Sequence, residues 1–152
     1  MSTREVPSYE PVFWDGRRLG VLLVVPTINE GQRLHRTLQR CAIYAENQLD
    51  VVVVDGGSTD GSTRTEPLRA LGVRGLLLKT GPGRLSAQLR CAYAFALDAG
   101  YDAVVTIDGN DKDDPVAIPA MLQSLAAGYD LVQASRFLPG GRAENTPLLR
   151  TI

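Results

Sequence analysis

Between residues 103 and 115 the chain reads AVVTIDGNDKDDP. Val104, Val105, Thr106 and Ile107 have the character of a strand, and Asp108 opens the loop that follows. Asp108, Asn110, Asp111, Asp113 and Asp114 then crowd into that loop, with Lys112 among them. A buried strand that ends in a carboxylate fixes an acid on rigid backbone. In open α/β sheets, ligands bind at the carboxyl ends of strands. A dense set of oxygens at such a place suits a hard cation, Mg²⁺ or Mn²⁺, shared with a phosphate. The same residues also suit a solvated acidic loop that caps the helix begun at Pro115.

Other residues able to do chemistry stand at the ends of other apolar runs. Val21–Val25 reads as a strand buried on both faces. Pro26 ends it, and Thr27, Ile28, Asn29 and Glu30 form the turn. Val51–Val54 is a second such run and exits into Asp55-Gly56-Gly57-Ser58-Thr59-Asp60-Gly61, whose glycines permit positive φ and close approach of a ligand. Leu131–Ala134 reads as a last strand, leading to Ser135, Arg136 and the Pro139-Gly140-Gly141 loop. Glu30, Asp55, Asp108 and Arg136 thus each follow a strand.

The intervening segments read as helices. Leu34, Leu38, Cys41 or Ala42, and Ala45 make one helical face. A short helix is expected over Ser62–Leu71, with Pro67 complicating its start, and a strand over Val73–Leu78. Leu85, Leu89, Ala92, Ala96 and Ala99 form the stripe of a helix stopped by Gly100. Ile118, Leu122 and Leu125 face inward from a helix started by Pro115 and stopped by Gly128. Strand and helix alternate four times before a fifth strand, so an α/β domain with a largely parallel sheet is expected. Right-handed crossovers then gather all the strand ends on one edge. Residues 1–19 lack periodicity and read as a loose leader, held to the surface by Phe13 and Trp14.

Composition narrows the function class. The 152 residues suffice for one domain with a real core. Hydrophobic residues at 44% and charged residues at 22% are ordinary for a globular protein. A net charge of −1 gives no electrostatic footprint for nucleic acid. No apolar run approaches a membrane span, and the N-terminus lacks the apolar centre of a signal peptide. Cys41 and Cys91 are expected to be small core residues in a reducing compartment.

Several motifs are excluded. Pro-Thr-Ile-Asn-Glu follows the first strand where a dinucleotide fingerprint needs Gly-x-Gly-x-x-Gly, and there is no P-loop. An EF-hand begun at Asp108 would have Lys112 at its fifth position and Pro119 at its twelfth. His35 stands without a ligand cluster, and no nucleophile elbow is present.

Pro26-Thr27-Ile28-Asn29-Glu30, Val54-Asp55-Gly56-Gly57-Ser58-Thr59-Asp60-Gly61 and Asp108-Gly109-Asn110, in this order, resemble family 2 glycosyltransferases of the GT-A fold. The chain is most similar to the polyprenyl-phosphate (dolichol-phosphate) mannosyltransferases. Ala134-Ser135-Arg136-Phe137, Gly140-Gly141 and Glu144-Asn145-Thr146-Pro147 echo a late motif of that group. The resemblance covers about residues 20–150. It implies a GT-A (nucleotide-diphospho-sugar transferase) domain over 20–152, a Rossmann-like, mostly parallel sheet flanked by helices. It implies that a sugar moves with inversion from a GDP- or UDP-linked nucleoside diphosphate sugar to an acceptor such as a polyprenyl phosphate. Pro26, Ile28 and Glu30 would contact base and ribose, and Val54 and Asp55 would line the base pocket. Asp108, Gly109 and Asn110 fill the Asp-x-Asp motif, with Asp108 and Asn110 holding Mg²⁺ or Mn²⁺ on the diphosphate. Lys112 stands where the family often has Gln. Arg136 and Arg150 match arginines that contact phosphate.

Three positions depart from the pattern. Asn110 replaces an acid and brings an oxygen without charge, so either metal binding is weaker or Asp111 or Asp113 assists. Gly56 replaces an acid, and Ile28 replaces an aromatic ring. The chain also stops where relatives continue, so it is expected to be truncated, with apolar surface available for self-association into a homo-oligomer. A lipid-phosphate acceptor would place it in the cytoplasm, at the cytoplasmic membrane face. That acceptor is already ionised and needs no strong base. A sugar hydroxyl would need one, with Asp113 and Asp114 nearest. Two rivals remain: a non-catalytic nucleotide-sugar-binding or partner-binding remnant, and a sugar-phosphate nucleotidyltransferase, which would carry a Gly-rich basic loop after the first strand.

Overall fold

The structure, a computed structural model, describes residues 4–135 and 138–141. Two compact units divide the chain, residues 1–118 and 119–152.

The first unit is built on β2 (Val21–Thr27), which lies between β3 (Asp50–Asp55) and β5 (Ala103–Thr106). Both neighbours run parallel to it, paired from Leu22↔Asp50 to Thr27↔Asp55 and from Val21↔Ala103 to Val24↔Thr106. Continuous Val and Leu runs explain the central position. Leu22, Leu23, Val24 and Val25 are all fully sealed from solvent, on both faces of the strand. β4 (Gly75–Lys79) adds outside β3, also parallel, so the sheet order is β1-β4-β3-β2-β5.

Helix placement follows from chirality. The chain steps outward from β2 to β3 through α1 (Gln32–Ala45), and from β3 to β4 through α2 (Thr65–Ala70). It then crosses back over β2 to β5 through α3 (Leu85–Asp98). Right-handed crossovers in opposite directions put α1 and α2 on one face and α3 on the other. Ala92, Phe95 and Ala96 of α3 pack with Leu22, Val24, Val52, Val54 and Leu77. Leu34, Leu38, Cys41 and Ala45 are the buried stripe of α1. Each sealed Leu or Val contributes about 1.5–3 kcal/mol relative to exposure. Cys41 and Cys91 are buried free thiols, as core residues should be. Burial pushes the Cys41 thiol up to about 11.

Three expectations need correction. The stretch read as a loose leader contains β1 (Tyr9–Trp14), paired antiparallel with β4. Pro11 and a register shift between Pro11 and Phe13 hide its alternation, and Pro is tolerated there because the strand is at the edge. Trp14 meets Phe95 edge-on at 4.9 Å. The α3 stripe is rotated: Leu85 is 47% exposed, while Ala87, Gln88 and Cys91 are buried. Leu131–Ala134 forms no strand, and Leu131 is 84% exposed. Among the described residues it pairs with nothing, and strand propensity without a ladder partner does not make a strand. The second unit carries most of α4 (Ile118–Ala126), whose Leu122 and Leu125 are half-buried.

At the amino edge of the sheet, buried Asp50 accepts from the backbone N–H groups of Arg18 (2.8 Å) and Leu19 (3.1 Å) and from the Tyr101 hydroxyl (2.7 Å). Burial holds that hydroxyl far above its usual range, so it stays protonated and donates. Tyr101→Phe should lower the unfolding free energy by about 1–2 kcal/mol. Urea denaturation at neutral pH measures it, and an unchanged midpoint would show that the bond carries no net stability.

Candidate functional site

The strand order reverses at β2: successive strands lie on its β3 side until β5 returns to the other. That switch point opens a crevice beyond the carboxyl ends of β2 and β5. The loop after β2 carries Glu30 to it, and the loop after β5 carries Asp108.

The β2 loop is tied to the β3 loop. Asn29 sits at φ 49°, left-handed backbone that Asn tolerates. Its backbone N–H donates to Ser58 Oγ (2.9 Å), and its Oδ1 accepts from the Thr59 N–H (2.7 Å). Asp60 Oδ2 accepts from the Gly31 N–H (2.9 Å). His35 Nε2 lies 2.9 Å from the Ser62 carbonyl oxygen. Asp55, buried, organises the β3 loop from within. Its Oδ1 accepts from the N–H groups of Gly57 (3.0 Å) and Ser58 (2.8 Å) and the Ser58 hydroxyl (2.7 Å), and its Oδ2 from the Thr63 hydroxyl (2.8 Å).

Gln88 was not anticipated. Its buried amide donates to the carbonyls of Thr27 (2.8 Å) and Val54 (2.9 Å), the last turns of β2 and β3. A polar residue three before Cys91 and four before Ala92, both buried, was the available sign of it. A Cβ at Gly56 would lie 3.2 Å from Gln88 Nε2 and 3.4 Å from Ile28 Cδ1, so glycine lets the chain pass over the bridge.

The β5 loop is pinned at its start. The Ile107 N–H donates to Val24 O and the Gly109 N–H to Pro26 O, both at 3.1 Å. A Cβ on Gly109 would meet Pro26 O at 3.0 Å, Leu34 Cδ1 at 3.1 Å and Thr27 Cβ at 3.3 Å. Glycine between Asp108 and Asn110 is therefore a packing requirement. Asp108 is partly buried. Burial, then the charges of Asp113 and Glu30, holds its carboxyl above the ordinary 3.8, against the pull of the Asn110 N–H and Lys112. The Asn110 side-chain oxygen accepts from the Lys112 N–H (3.0 Å). Glu30 lies 2.9 Å from an Arg33 guanidinium nitrogen.

The acids of this loop divide by role. Asp114 Oδ1 accepts from the Val116 N–H (3.1 Å) and so caps the 3₁₀ turn Pro115–Ala117. The solvated-cap reading holds for this one residue. Asp111 faces α1, where Arg40 and Arg36 bind it at 2.8 and 3.0 Å and hold its carboxyl below the usual range. It is committed to those arginines, which corrects its expected place beside the metal. Asp108, Asp113 and Glu30 remain facing the crevice.

The other anticipated residues fall into three groups. Ile28 is half-exposed and Lys112 exposed, both available to a ligand. Pro26 and Val54 are buried, and the Val54 side chain belongs to the core. Neither side chain lines a pocket, because both sit inside strands rather than beyond them. Arg136 and Arg150 lie outside the described residues. Among the described residues, no group of three or more His, Cys, Asp or Glu side chains is disposed to enclose a metal ion.

Two outcomes test this geometry. The native state keeps the Asp108 proton to higher pH than the unfolded chain, so its contribution to stability is full at low pH and lost as pH rises through the raised value. Asp108→Asn should therefore raise the Tm of the metal-free protein by about 1–2 °C at pH 7 and by less at pH 4. A lower Tm with no pH trend would contradict the arrangement. Gly109→Ala should cost about 1–3 kcal/mol by overpacking, read as a fall in the urea midpoint. A neutral effect would mean that the loop is not pinned at Pro26.

Comparison with known proteins agrees with this architecture. Glucosyl-3-phosphoglycerate synthase from Mycobacterium tuberculosis, solved in complex with UDP, superposes with a TM-score of 0.55 at 21% identity, over 71% of this chain and 40% of that one. The same enzyme with Mn²⁺, UDP and glucosyl-3-phosphoglycerate gives 0.54. The fold is thus that of the GT-A glycosyltransferases. In sequence, the chain is 30% identical over 134 residues to polyprenol monophosphomannose synthase of Mycolicibacterium smegmatis, covering 86% of this chain and 50% of the relative. It is 33% identical over 132 residues to undecaprenyl-phosphate mannosyltransferase of Micrococcus luteus, covering 86% and 54%. The chain spans about half the length of these relatives. Residues 22–151 match the model of glycosyl transferase family 2, and the chain belongs to that family.

Proposed function

We propose that this chain carries the nucleotide-sugar half of an inverting glycosyltransferase that moves a sugar from a nucleoside diphosphate sugar to a polyprenyl phosphate. The observation that carries the reading is the switch point of the sheet, where the loop after β2 brings Glu30, and the loop after β5 brings Asp113, within electrostatic reach of Asp108.

The donor set fits Mg²⁺ or Mn²⁺. Magnesium is commonly held by one or two carboxylates together with substrate phosphates, rather than by an all-protein cage. Two ligands, Asp108 and Asn110, match that mode without a third protein carboxylate. The Asn110 oxygen already accepts from the Lys112 N–H, but a carbonyl oxygen has a second lone pair. Bound there, the cation supplies charge neutralisation to the departing diphosphate. The chain's own groups do the rest. Gly109, held to β2, keeps the Asp108 backbone in place. Ile28 gives an exposed apolar surface beside Gly56 for the base, and Glu30 completes the nucleotide wall. Lys112, exposed in the same loop, adds positive charge toward the phosphates.

The acceptor follows from the proton requirement. A phosphate oxygen is already ionised and needs no base. His35, the only histidine in the chain, is engaged with the Ser62 carbonyl. The names of the two mannosyltransferase relatives support the same acceptor. A lipid-linked acceptor would be met at the cytoplasmic membrane face. No described helix is long and apolar enough to cross a membrane. Of the two nucleotides, UDP is the one held by the superposed synthase. A binding-only role is favoured by Asn110 standing in place of an acid.

Calorimetry with UDP- and GDP-sugars, with and without Mn²⁺, tests the proposal. Mn²⁺ should strengthen binding to one of them. Asp108→Ala should weaken metal-dependent binding and turnover onto a polyprenyl phosphate by about a hundredfold. Metal-dependent binding without hydrolysis or transfer would favour the binding-only role. Binding indifferent to both Mn²⁺ and Asp108 would sink the proposal.

A further inference from the structure

The structure assigns Arg36 and Arg40 of α1 a positioning role: by gripping Asp111 they hold the loop that presents Asp108 and Asn110. The assignment rests on the reading of those two residues as the cation's ligands.

The loop is secured unevenly. At its start, Ile107 and Gly109 are bonded to the backbone of β2. Beyond Gly109 that support ends. The Asn110 side chain bonds to the Lys112 N–H, and the Asp113 carboxylate lies 3.4 Å from the Asp108 N–H, both within the loop itself. Among the described residues, the hydrogen bonds that tie positions 110–113 to the rest of the fold are those of Asp111. One of its oxygens is bonded to Arg40 Nη1 and the other to Arg36 Nε. The two arginines stand one helical turn apart and so approach the carboxylate side by side. Arg40 also reaches Asp114 at 3.4 Å, so one guanidinium spans the loop from its apex to the cap of the next turn.

Asp111 adds a second reason for a grip. It is a non-glycine residue at φ 61°, left-handed backbone that Asp tolerates only at a cost. Asn110 is its immediate neighbour. A change of Asp111 out of that conformation would re-aim the Asn110 carbonyl and break the turn closed by Lys112. Electrostatics act in the same direction: Arg40 and Arg36 hold the Asp111 carboxyl below its usual range, so the ionised carboxylate favours the grip.

Exposure separates positioning from global stability. The arginine side chains are 54% and 42% exposed, against 19% for Asp111. Pairs with such exposed arms contribute little to global folding, so their loss should act on local order. Partners of this kind, one step removed from a metal ligand, typically change metal affinity by 10–100-fold.

The test compares the wild-type chain with Arg36→Gln/Arg40→Gln, using amide hydrogen exchange and UDP or GDP binding at increasing Mn²⁺. Exchange across residues 109–113 should accelerate at least tenfold, and the Mn²⁺ concentration for half-maximal nucleotide binding should rise about tenfold. The Tm should move by no more than about 2 °C. Arg40→Lys alone should stay near wild type, because each arginine makes only one bond to Asp111. Unchanged exchange in the double variant overturns the assignment, whether or not nucleotide binds. Faster exchange with an unmoved Mn²⁺ midpoint also overturns it, since the loop would then be ordered without consequence for the ligands. A wild-type chain whose nucleotide binding ignores Mn²⁺ refutes the functional reading itself, which is a distinct result.

Discussion

Like charges crowded beyond the end of β2 set the terms for this fold. Asp108, Asp113 and Glu30 share one crevice, and the crevice exists because the sheet reverses direction there. Left alone, the loops bearing these acids would swing outward into water, where repulsion is screened. At their base these loops are held inward by a set of neutral tethers. Gly109 is bonded to Pro26, Gly56 to Thr27, and Gln88 to both Thr27 and Val54. All of these end on the backbone of β2 or β3, which is sealed on both faces and has no freedom to yield.

The charged tethers, by contrast, lie at the periphery. Arg36 and Arg40 bind Asp111 from α1, and Asp60 binds the first turn of the same helix through Gly31. α1 thereby connects the loops after β3 and β5, with His35 bonded to the first and Arg36 and Arg40 to the second. A movement of α1 would therefore be felt by both halves of the crevice. The helix is held by Leu34, Leu38 and Cys41, so core packing beneath it and site geometry above it are not separable properties.

How much of this was legible before the structure depends on what kind of information each feature needs. The parallel strands were plain because Val21–Val25 and Val51–Val54 are unbroken apolar runs, which only a doubly covered sheet requires. Asp108 was plain because it follows such a run at once, and Glu30 because it closes the short turn after one. β1 was not, since Pro11 and a register shift interrupt its pattern and its existence depends on the free edge of β4, a tertiary fact. Leu131–Ala134 failed for the reverse reason: its composition suits a strand, but no described segment pairs with it. The roles of Asp111 and Asp114 were also invisible. Five oxygen-bearing side chains within seven residues look alike in sequence, and only the structure shows which carboxylate turns to arginine and which caps a turn.

The departures at positions 28 and 56 make sense as a single packing solution. The space a side chain at 56 would enter is bounded by the Gln88 amide at 3.2 Å and the Ile28 δ-methyl at 3.4 Å. Gln88 cannot withdraw, because two buried carbonyls depend on its one amide nitrogen, and an orphaned buried carbonyl costs about 1–3 kcal/mol. An acid at 56 would thus press on a fixed group on one side and meet a branched apolar side chain on the other. Glycine removes the conflict. It leaves Ile28 half-exposed beside Gly56. A carboxylate at 56 would need Gln88 and Ile28 to give way together by a few tenths of an ångström.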